Sequence, residues 1–282
     1  MAGVVGAGAG KRIVVTGSTR GIGRGLAQAL LERGASVMVS GRSDAGVTAA
    51  SAALAAAVPG CGGRIAGQAC DVTQVASVQG LWDAAVAAFG GVDVWVNNAG
   101  VSHGRKPLWE QPPGIIDDVV ATNLNGVLYG SQVALAGFVA QGSGALWNME
   151  GLGSDGRVIA GTGIYGSTKS AVRYVTKSLV KDAKEHALPA AIQICFLSPG
   201  IVATDLLVKD YDGDRAAWEK AKKMFNILAD EVGTVAPFLA DGILASTKSG
   251  TKVTWLTPQK VAKRFATARF AKRTINFGEP AA

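Results

Sequence analysis

The stretch Thr16-Gly17-Ser18-Thr19-Arg20-Gly21-Ile22-Gly23 constrains this chain most, because it joins an apolar run at 12–16 to an amphipathic stretch at 23–33. A glycine-rich turn between a strand and a helix exposes backbone N–H groups at the helix N-terminus. Gly17, Gly21 and Gly23 remove the Cβ atoms that would keep a pyrophosphate from reaching them. Ser18, Thr19, Arg20 and Ile22 complete the loop. Its spacing, GxxxGxG, differs from the better-known GxGxxG. Glycine turns also merely connect elements, so the weight lies on its position between strand and helix.

One strand–turn–helix unit cannot bury its own faces, and the rest of the chain repeats the unit. Short apolar runs at 36–40, 64–70, 92–96, 145–149, 191–196 and 252–256 predict further strands. Helical spacing of apolar residues appears at 75–89, 115–139 and 165–186. This alternation predicts an α/β fold, a Rossmann-type doubly wound parallel sheet of about seven strands in a single domain. With 282 residues and 48% hydrophobic composition, the chain can fill one large core.

Residues 1–10 read as a flexible lead-in and 11–257 as the domain. Within it, 202–232 breaks the alternation and is helical in pieces, as at 215–223, where a substrate lid would sit. Residues 258–282 read as a basic helix and tail. Lys260, Lys263, Arg264, Arg269, Lys272 and Arg273 are interleaved there with Val261, Phe265 and Phe270.

Several function classes fall away. The net charge of +7 suits anionic ligands. No helix-turn-helix or zinc-finger spacing appears, so nucleic acid is not expected. Cys61, Cys70 and Cys195 are too scattered for a disulfide framework or zinc site, and His103 and His186 are far apart, so no metal is expected. No stretch of about 18 apolar residues predicts a membrane span. Residues 1–10 resemble neither a signal nor a transit peptide.

The remaining motifs lie at the carboxyl ends of predicted strands, where open α/β sheets bind ligands. After the second strand, Arg42 stands where an NAD site would carry an acid. A guanidinium there suits a 2′-phosphate, with Arg20 as a second cation, which favours NADPH over NADH. Asp71 and Val72 end the third strand, and Asn98, Ala99 and Gly100 end the fourth. Asp71 either caps a turn or accepts from an adenine amino group. Tyr165 and Lys169, four residues apart, share one helix face. A free phenol has a pKa of about 10, and a cation beside it favours the phenolate, which makes the pair an acid/base candidate for a carbonyl/alcohol couple.

The glycine loop, Asn97-Asn98-Ala99-Gly100, Tyr165xxxLys169 and Ser198-Pro199-Gly200 follow the order and spacing of the short-chain dehydrogenase/reductases, and the resemblance covers nearly the whole chain. It implies that Asn123 is the catalytic Asn supporting a relay water and Lys169. It also implies that Pro199, Gly200, Ile201 and Thr204 meet the nicotinamide end of the cofactor. One position departs from the pattern. Leu152 stands thirteen residues before Tyr165, where the family's serine is usual. With one inserted residue Gly151 is the equivalent, and Ser154 is the nearest hydroxyl for carbonyl polarisation, unless it only caps its loop.

Asn148-Met149-Glu150-Gly151-Leu152-Gly153-Ser154, Met224-Phe225-Asn226-Ile227 and Trp255-Leu256-Thr257-Pro258 resemble chlorophyll(ide) b reductase. That resemblance implies NADPH-dependent reduction of the ring-B formyl group of a chlorin pigment to hydroxymethyl, in chlorophyll b breakdown. It further implies a chloroplast setting, a thylakoid surface or antenna complex as partner, and a homo-oligomer. The substrate's size would account for Leu206, Leu207, Tyr211, Trp218, Met224 and Phe225, as would core packing. The alternatives are a general carbonyl reductase of ketoacyl-carrier-protein or sugar-alcohol type, or an NADP-binding partner protein with impaired catalysis.

Overall fold

Along the first strand, β1 (Arg12–Val15), successive side chains enter opposite layers: Ile13 and Val15 join one apolar cluster and Val14 the other. That period of two, with both faces apolar, is what a strand covered by helices on both sides requires. The computed structural model describes residues 6–270 and 273–280. Residues 1–5 of the expected lead-in, Lys272 of the expected basic helix and the last two residues of the tail lie outside the described residues.

The chain runs through β1, α1 (Gly21–Glu32), β2 (Ser36–Gly41), α2 (Asp44–Ala57), β3 (Ile65–Ala69), α3 (Val75–Phe89) and β4 (Val94–Asn97). It continues through α4 (Pro113–Val120), α5 (Gly126–Gln141), β5 (Gly144–Met149), α6 (Gly163–Glu185) and β6 (Ile192–Ser198). A short pair, β7 (Val202–Ala203) and β8 (Asp230–Glu231), brackets α7 (Asp205–Val208) and α8 (Arg215–Leu228). The chain then forms α9 (Val232–Ala245), β9 (Lys252–Thr254) and α10 (Pro258–Thr267).

All seven strands of the main sheet are parallel, in the order β3-β2-β1-β4-β5-β6-β9. The order reverses between β1 and β4, which opens a crevice above their carboxyl ends. The expected α/β class and single-domain Rossmann-type sheet are therefore observed. Among the described residues, no helix is long and apolar enough to cross a membrane.

Three local features differ from the sequence expectation. The helix expected at 115–139 is interrupted by a π-helical turn, Ala121–Asn125, which separates α4 from α5. Such one-turn widenings re-aim a side chain, and here the residue re-aimed is Asn123. Two helices, α2 and α9, were not anticipated. The small alanines of α2 give little contrast between its faces, while α9 is apolar nearly all round and contains Pro237.

The third difference concerns the C-terminal region. α10 stops at Thr267, and part of its charge faces inward. Arg264 Nη2 lies 2.7 Å from Asp230 Oδ2, Arg273 Nη2 lies 2.6 Å from Asp230 Oδ1, and Trp255 Nε1 donates to the same carboxylate at 2.6 Å. Lys260 sits over the Trp255 ring. Among the described residues named for an amphipathic surface, Lys263, Arg269, Phe265 and Phe270 are exposed. Beyond α10, Phe277 packs edge-on against Trp218, in a cluster with Val208, Tyr211 and Phe225. Three of the aromatics that a bulky substrate would explain are thus core residues, whereas Leu206 and Met224 stay exposed.

Asp230 is nearly buried and answers two guanidinium groups, so its removal leaves cations uncompensated in a desolvated place. Asp230→Ala is expected to cost about 3 kcal/mol, read as a lowered urea midpoint with unchanged slope.

Candidate active site

The glycine loop is tied to its surroundings before any ligand is considered. Thr16 Oγ1 accepts from the N–H groups of Asn98 and Ala99 at 2.9 and 3.0 Å, and Asn98 Nδ2 donates to Thr16 O at 2.8 Å. Gly17 has φ +63°, and a Cβ there would meet Ala99 Cα at 2.8 Å; a Cβ on Gly23 would strike Asn98 and the Gly17 carbonyl. Side chains at either position are excluded, which is the clearance that a phosphate approaching backbone N–H groups needs. α1 begins at Gly21 with neither a side-chain cap nor an acid in its first turn, leaving its positive end for an anion.

The expected binding residues separate into two groups. Thr19 packs against Gly41 at the end of β2, and the exposed Arg20 and Arg42 flank that contact. Thr204 lies against Gly21, so the segment from Pro199 through Gly200 and Ile201 to Thr204 borders the same crevice. Ser18 is turned away: its hydroxyl donates to Val15 O at 2.7 Å, its N–H goes to Ser40 O, and it is fully buried. Asp71 Oδ1 accepts from the N–H and hydroxyl of Thr73 at 3.0 and 2.8 Å, so it caps its turn, beside the buried Val72. Ile22 packs partly into the core.

Tyr165 and Lys169 lie in the first two turns of α6. Tyr165 is the third residue of that helix, so its N–H is among the donors that a helix leaves unpaired. His103 Nε2 accepts it at 3.3 Å, which places the ring proton on Nδ1, 2.9 Å from Gly104 O. His103 thereby fixes the start of the helix. The sequence offered only its rarity as a signal.

Lys169 is buried, and its Nζ donates to Met149 O at 3.3 Å and lies 5.7 Å from the Tyr165 ring centroid. Asn123 is fully buried and bridges Val101, accepting from its N–H at 2.8 Å and donating to its carbonyl at 2.9 Å. Gly100 lies between Asn123 and Lys169: a Cβ on it would be 3.3 Å from Asn123 Oδ1 and 3.9 Å from Lys169 Nζ. The fold therefore brings Tyr165, Lys169, Asn123 and Gly100 to one place.

At the departure from the usual serine pattern, Gly151 faces Tyr165 and Lys169, since a Cβ on it would lie 2.5 Å from Tyr165 Oη. Ser154 closes the turn, donating to Gly151 O at 2.7 Å and accepting from Gly151 N–H at 3.0 Å.

Electrostatics here differ from the simple expectation of a phenolate beside a cation. Burial pushes the Tyr165 phenol well above its ordinary value, and the negative charge of Asp210 adds to the rise. Burial also pulls the Lys169 ammonium down to about 8, opposed by the buried carboxylate of Glu150. Glu150 is held by Lys252 Nζ at 2.7 Å and Arg173 Nε at 3.5 Å. Near neutral pH the pair is thus a protonated phenol and a cation, the state suited to giving a proton to a carbonyl oxygen.

Asp210, in the 202–232 segment, was not anticipated from the sequence. Burial raises its carboxyl to about 6, while a hydrogen bond from Ser102 and the charge of Arg105 oppose the rise. An ordinary loop aspartate gives no sign of this in sequence, because the burial comes from tertiary packing.

A family model described as short chain dehydrogenase matches residues 11–215. Two chloroplastic proteins of Arabidopsis thaliana are similar along most of the chain. The probable chlorophyll(ide) b reductase NYC1 is 33% identical over 272 residues, covering 92% of this chain and 53% of that protein. Chlorophyll(ide) b reductase NOL is 34% identical over 240 residues, covering 84% of this chain and 66% of that protein. The chain thus spans about half the length of NYC1. Among solved structures, a 3-ketoacyl-(acyl-carrier-protein) reductase from Brucella melitensis complexed with NADH has a TM-score of 0.73 at 25% identity, covering 87% of this chain and 96% of that one.

The ionisations of the pair set an expected pH profile. Tyr165 stays protonated through the working range, so kcat/KM for carbonyl reduction falls as pH rises through about 8, where Lys169 loses its charge. Because Glu150 supports that charge, Glu150→Gln moves this alkaline limb to lower pH.

Proposed function

This chain belongs to the short-chain dehydrogenases, a family of oxidoreductases, and from that premise we propose that it reduces the ring-B formyl group of chlorophyll(ide) b to hydroxymethyl with NADPH. One observation carries the reading. The similarity to NYC1 covers 92% of the chain and so extends well beyond Arg215, where the general family match stops, into the lid and C-terminal region.

In this reading the backbone of the loop from Gly17 to Gly23, apart from the Ser18 N–H, holds the pyrophosphate, and Arg42 with Arg20 takes the 2′-phosphate. The turn that Asp71 caps, with Val72, and the strand end at Asn98 and Ala99 line the adenosine side, Gly100 the catalytic end beside Asn123 and Lys169, and Pro199, Gly200, Ile201 and Thr204 the nicotinamide side. A nicotinamide held there would supply the hydride that the formyl carbon takes. Tyr165 Oη gives its proton to the formyl oxygen, and the C=O double bond becomes the C–H and O–H bonds of the alcohol. The Lys169 cation orients Tyr165 and the cofactor ribose, lowering the cost of the phenolate that remains. Asn123 supports the water that returns a proton to Tyr165.

The region 202–232 serves as the substrate lid on the 11–257 domain, with Leu206 and Met224 as its free apolar contacts for a chlorin. An apolar groove lined by Leu128, Leu135, Val175 and Leu179 on α5 and α6 supports a homo-oligomer. The relatives' chloroplast origin supports a chloroplast setting. Lys263, Arg269, Phe265 and Phe270, in the 258–282 segment, are the candidates for contact with a thylakoid surface or antenna complex.

The test is an assay of purified protein with chlorophyllide b and NADPH, the pigments being separated chromatographically. The expected product is the hydroxymethyl pigment; turnover of ketoacyl thioesters with none of chlorophyllide b would overturn the assignment. Tyr165→Phe is expected to lower kcat by ~10²–10⁴-fold while NADPH still binds. Arg42→Ala is expected to weaken NADPH by roughly tenfold, about 1.4 kcal/mol, and to leave NADH unchanged by equilibrium titration.

A further inference from the structure

The turn that replaces the usual serine is stitched to α6 at several points. Ser170 Oγ donates to Gly153 O at 2.6 Å, and Arg173 Nη1 donates to Ser154 O at 2.8 Å. Gly153, at φ +96°, packs so closely on Gly166 that a Cβ would fall 2.6 Å from its Cα. Ser154 is buried and spends its only proton on Gly151 O, while accepting the Gly151 N–H. One hydroxyl therefore reaches both hydrogen-bonding groups of the Gly151 backbone, whose carbonyl also accepts from the Ser154 N–H at 3.1 Å.

Gly151 in turn forms the surface beside the catalytic pair. A Cβ there would lie 2.5 Å from Tyr165 Oη and 3.1 and 3.2 Å from Lys169 Cγ and Cε. These contacts leave no room for a side chain at 151 with Tyr165 and Lys169 where they stand. Packing of this density transmits a displacement rather than absorbing it.

We propose that Ser154 and Gly151 form a positioning clamp: the Ser154 hydroxyl pins the Gly151 backbone as a wall without a side chain, against which Tyr165 and Lys169 are set for proton donation. The clamp rests on the reading of Tyr165 as the acid. Ser154 acts through Gly151 and does not touch the carbonyl. It follows that returning the family's serine to position 151 damages the site instead of repairing it.

The experiment compares Gly151→Ala, Gly151→Ser, Ser154→Ala, Ser154→Thr, the double variant Gly151→Ser/Ser154→Ala, and Tyr165→Phe in the full chain. NADPH affinity, kcat, KM for the aldehyde and the pH profile are measured for each. Both single Gly151 variants are expected to lose ~100-fold in kcat through displacement of Tyr165, with NADPH affinity retained. Their alkaline limb is expected to move, because the burial that sets the two ionisations changes.

Ser154→Ala is expected to lose ~10-fold in kcat at little-changed KM, and Ser154→Thr, which keeps the hydroxyl, to recover most of it. Wild-type kcat in Gly151→Ala overturns the clamp, as does full activity in the double variant, which would show a hydroxyl acting directly on the carbonyl. If the Gly151 variants do not fold, the Ser154→Ala and Ser154→Thr pair decides: an unchanged kcat in Ser154→Ala, or no recovery in Ser154→Thr, overturns it. Turnover by Tyr165→Phe would instead refute the acid assignment itself, so the two failures are told apart.

Discussion

A chain of buried hydrogen bonds at the carboxyl ends of β4 and β5 holds the site in place. Trp95 Nε1 donates to Asn97 Oδ1 at 2.8 Å, Asn97 Nδ2 donates to Asn148 Oδ1 at 2.8 Å, and Asn148 Nδ2 donates to Thr176 Oγ1 at 3.0 Å. Asn97 also reaches Ser131 on α5. Every member is enclosed by protein, where an unpaired amide is costly and a paired one fixes geometry. The chain locks α5 and α6 to the two central strands. α6 carries Tyr165 and Lys169, so the relation of this pair to the crevice at β1 and β4 depends on this network.

That placement decides the ionisation of the pair. On an exposed helix an ammonium four residues from a phenol would lower the phenol, with no burial to oppose it. Here both are desolvated, so burial outweighs their mutual effect: the phenol rises and the ammonium falls. Glu150, buried next to Met149, whose carbonyl Lys169 contacts, limits the loss of the lysine's charge. The result favours proton donation by Tyr165 over proton uptake.

The 202–232 segment and the C-terminal segment form a second structural layer beside the site. Asp230 joins β8 to Arg264 on α10 and to Arg273 beyond it, and Phe277 completes the aromatic cluster of Tyr211, Trp218 and Phe225. Residues that look like substrate contacts in sequence thus turn out to anchor the 202–232 segment to the tail. Asp210, in the same segment, brings a carboxyl close enough to Tyr165 to affect its ionisation. This side of the site is therefore built by chain segments far apart in sequence.

The sequence alone determined the parallel sheet, because apolar runs of strand length alternating with helical spacing leave few other ways to bury both faces. It also determined the glycine loop at the first strand's end and the Tyr165–Lys169 face, since both are local patterns with periods of one strand or one helical turn. α2 and α9 escaped it, because alanine-rich and uniformly apolar helices show no contrast between faces. The tertiary structure decided which way Ser18 turns, that Ser154 closes on Gly151, and that His103 caps α6. It decided likewise that Asp210 approaches Tyr165 and that part of the C-terminal charge is spent on Asp230. Each of these depends on contacts or burial that no local pattern encodes.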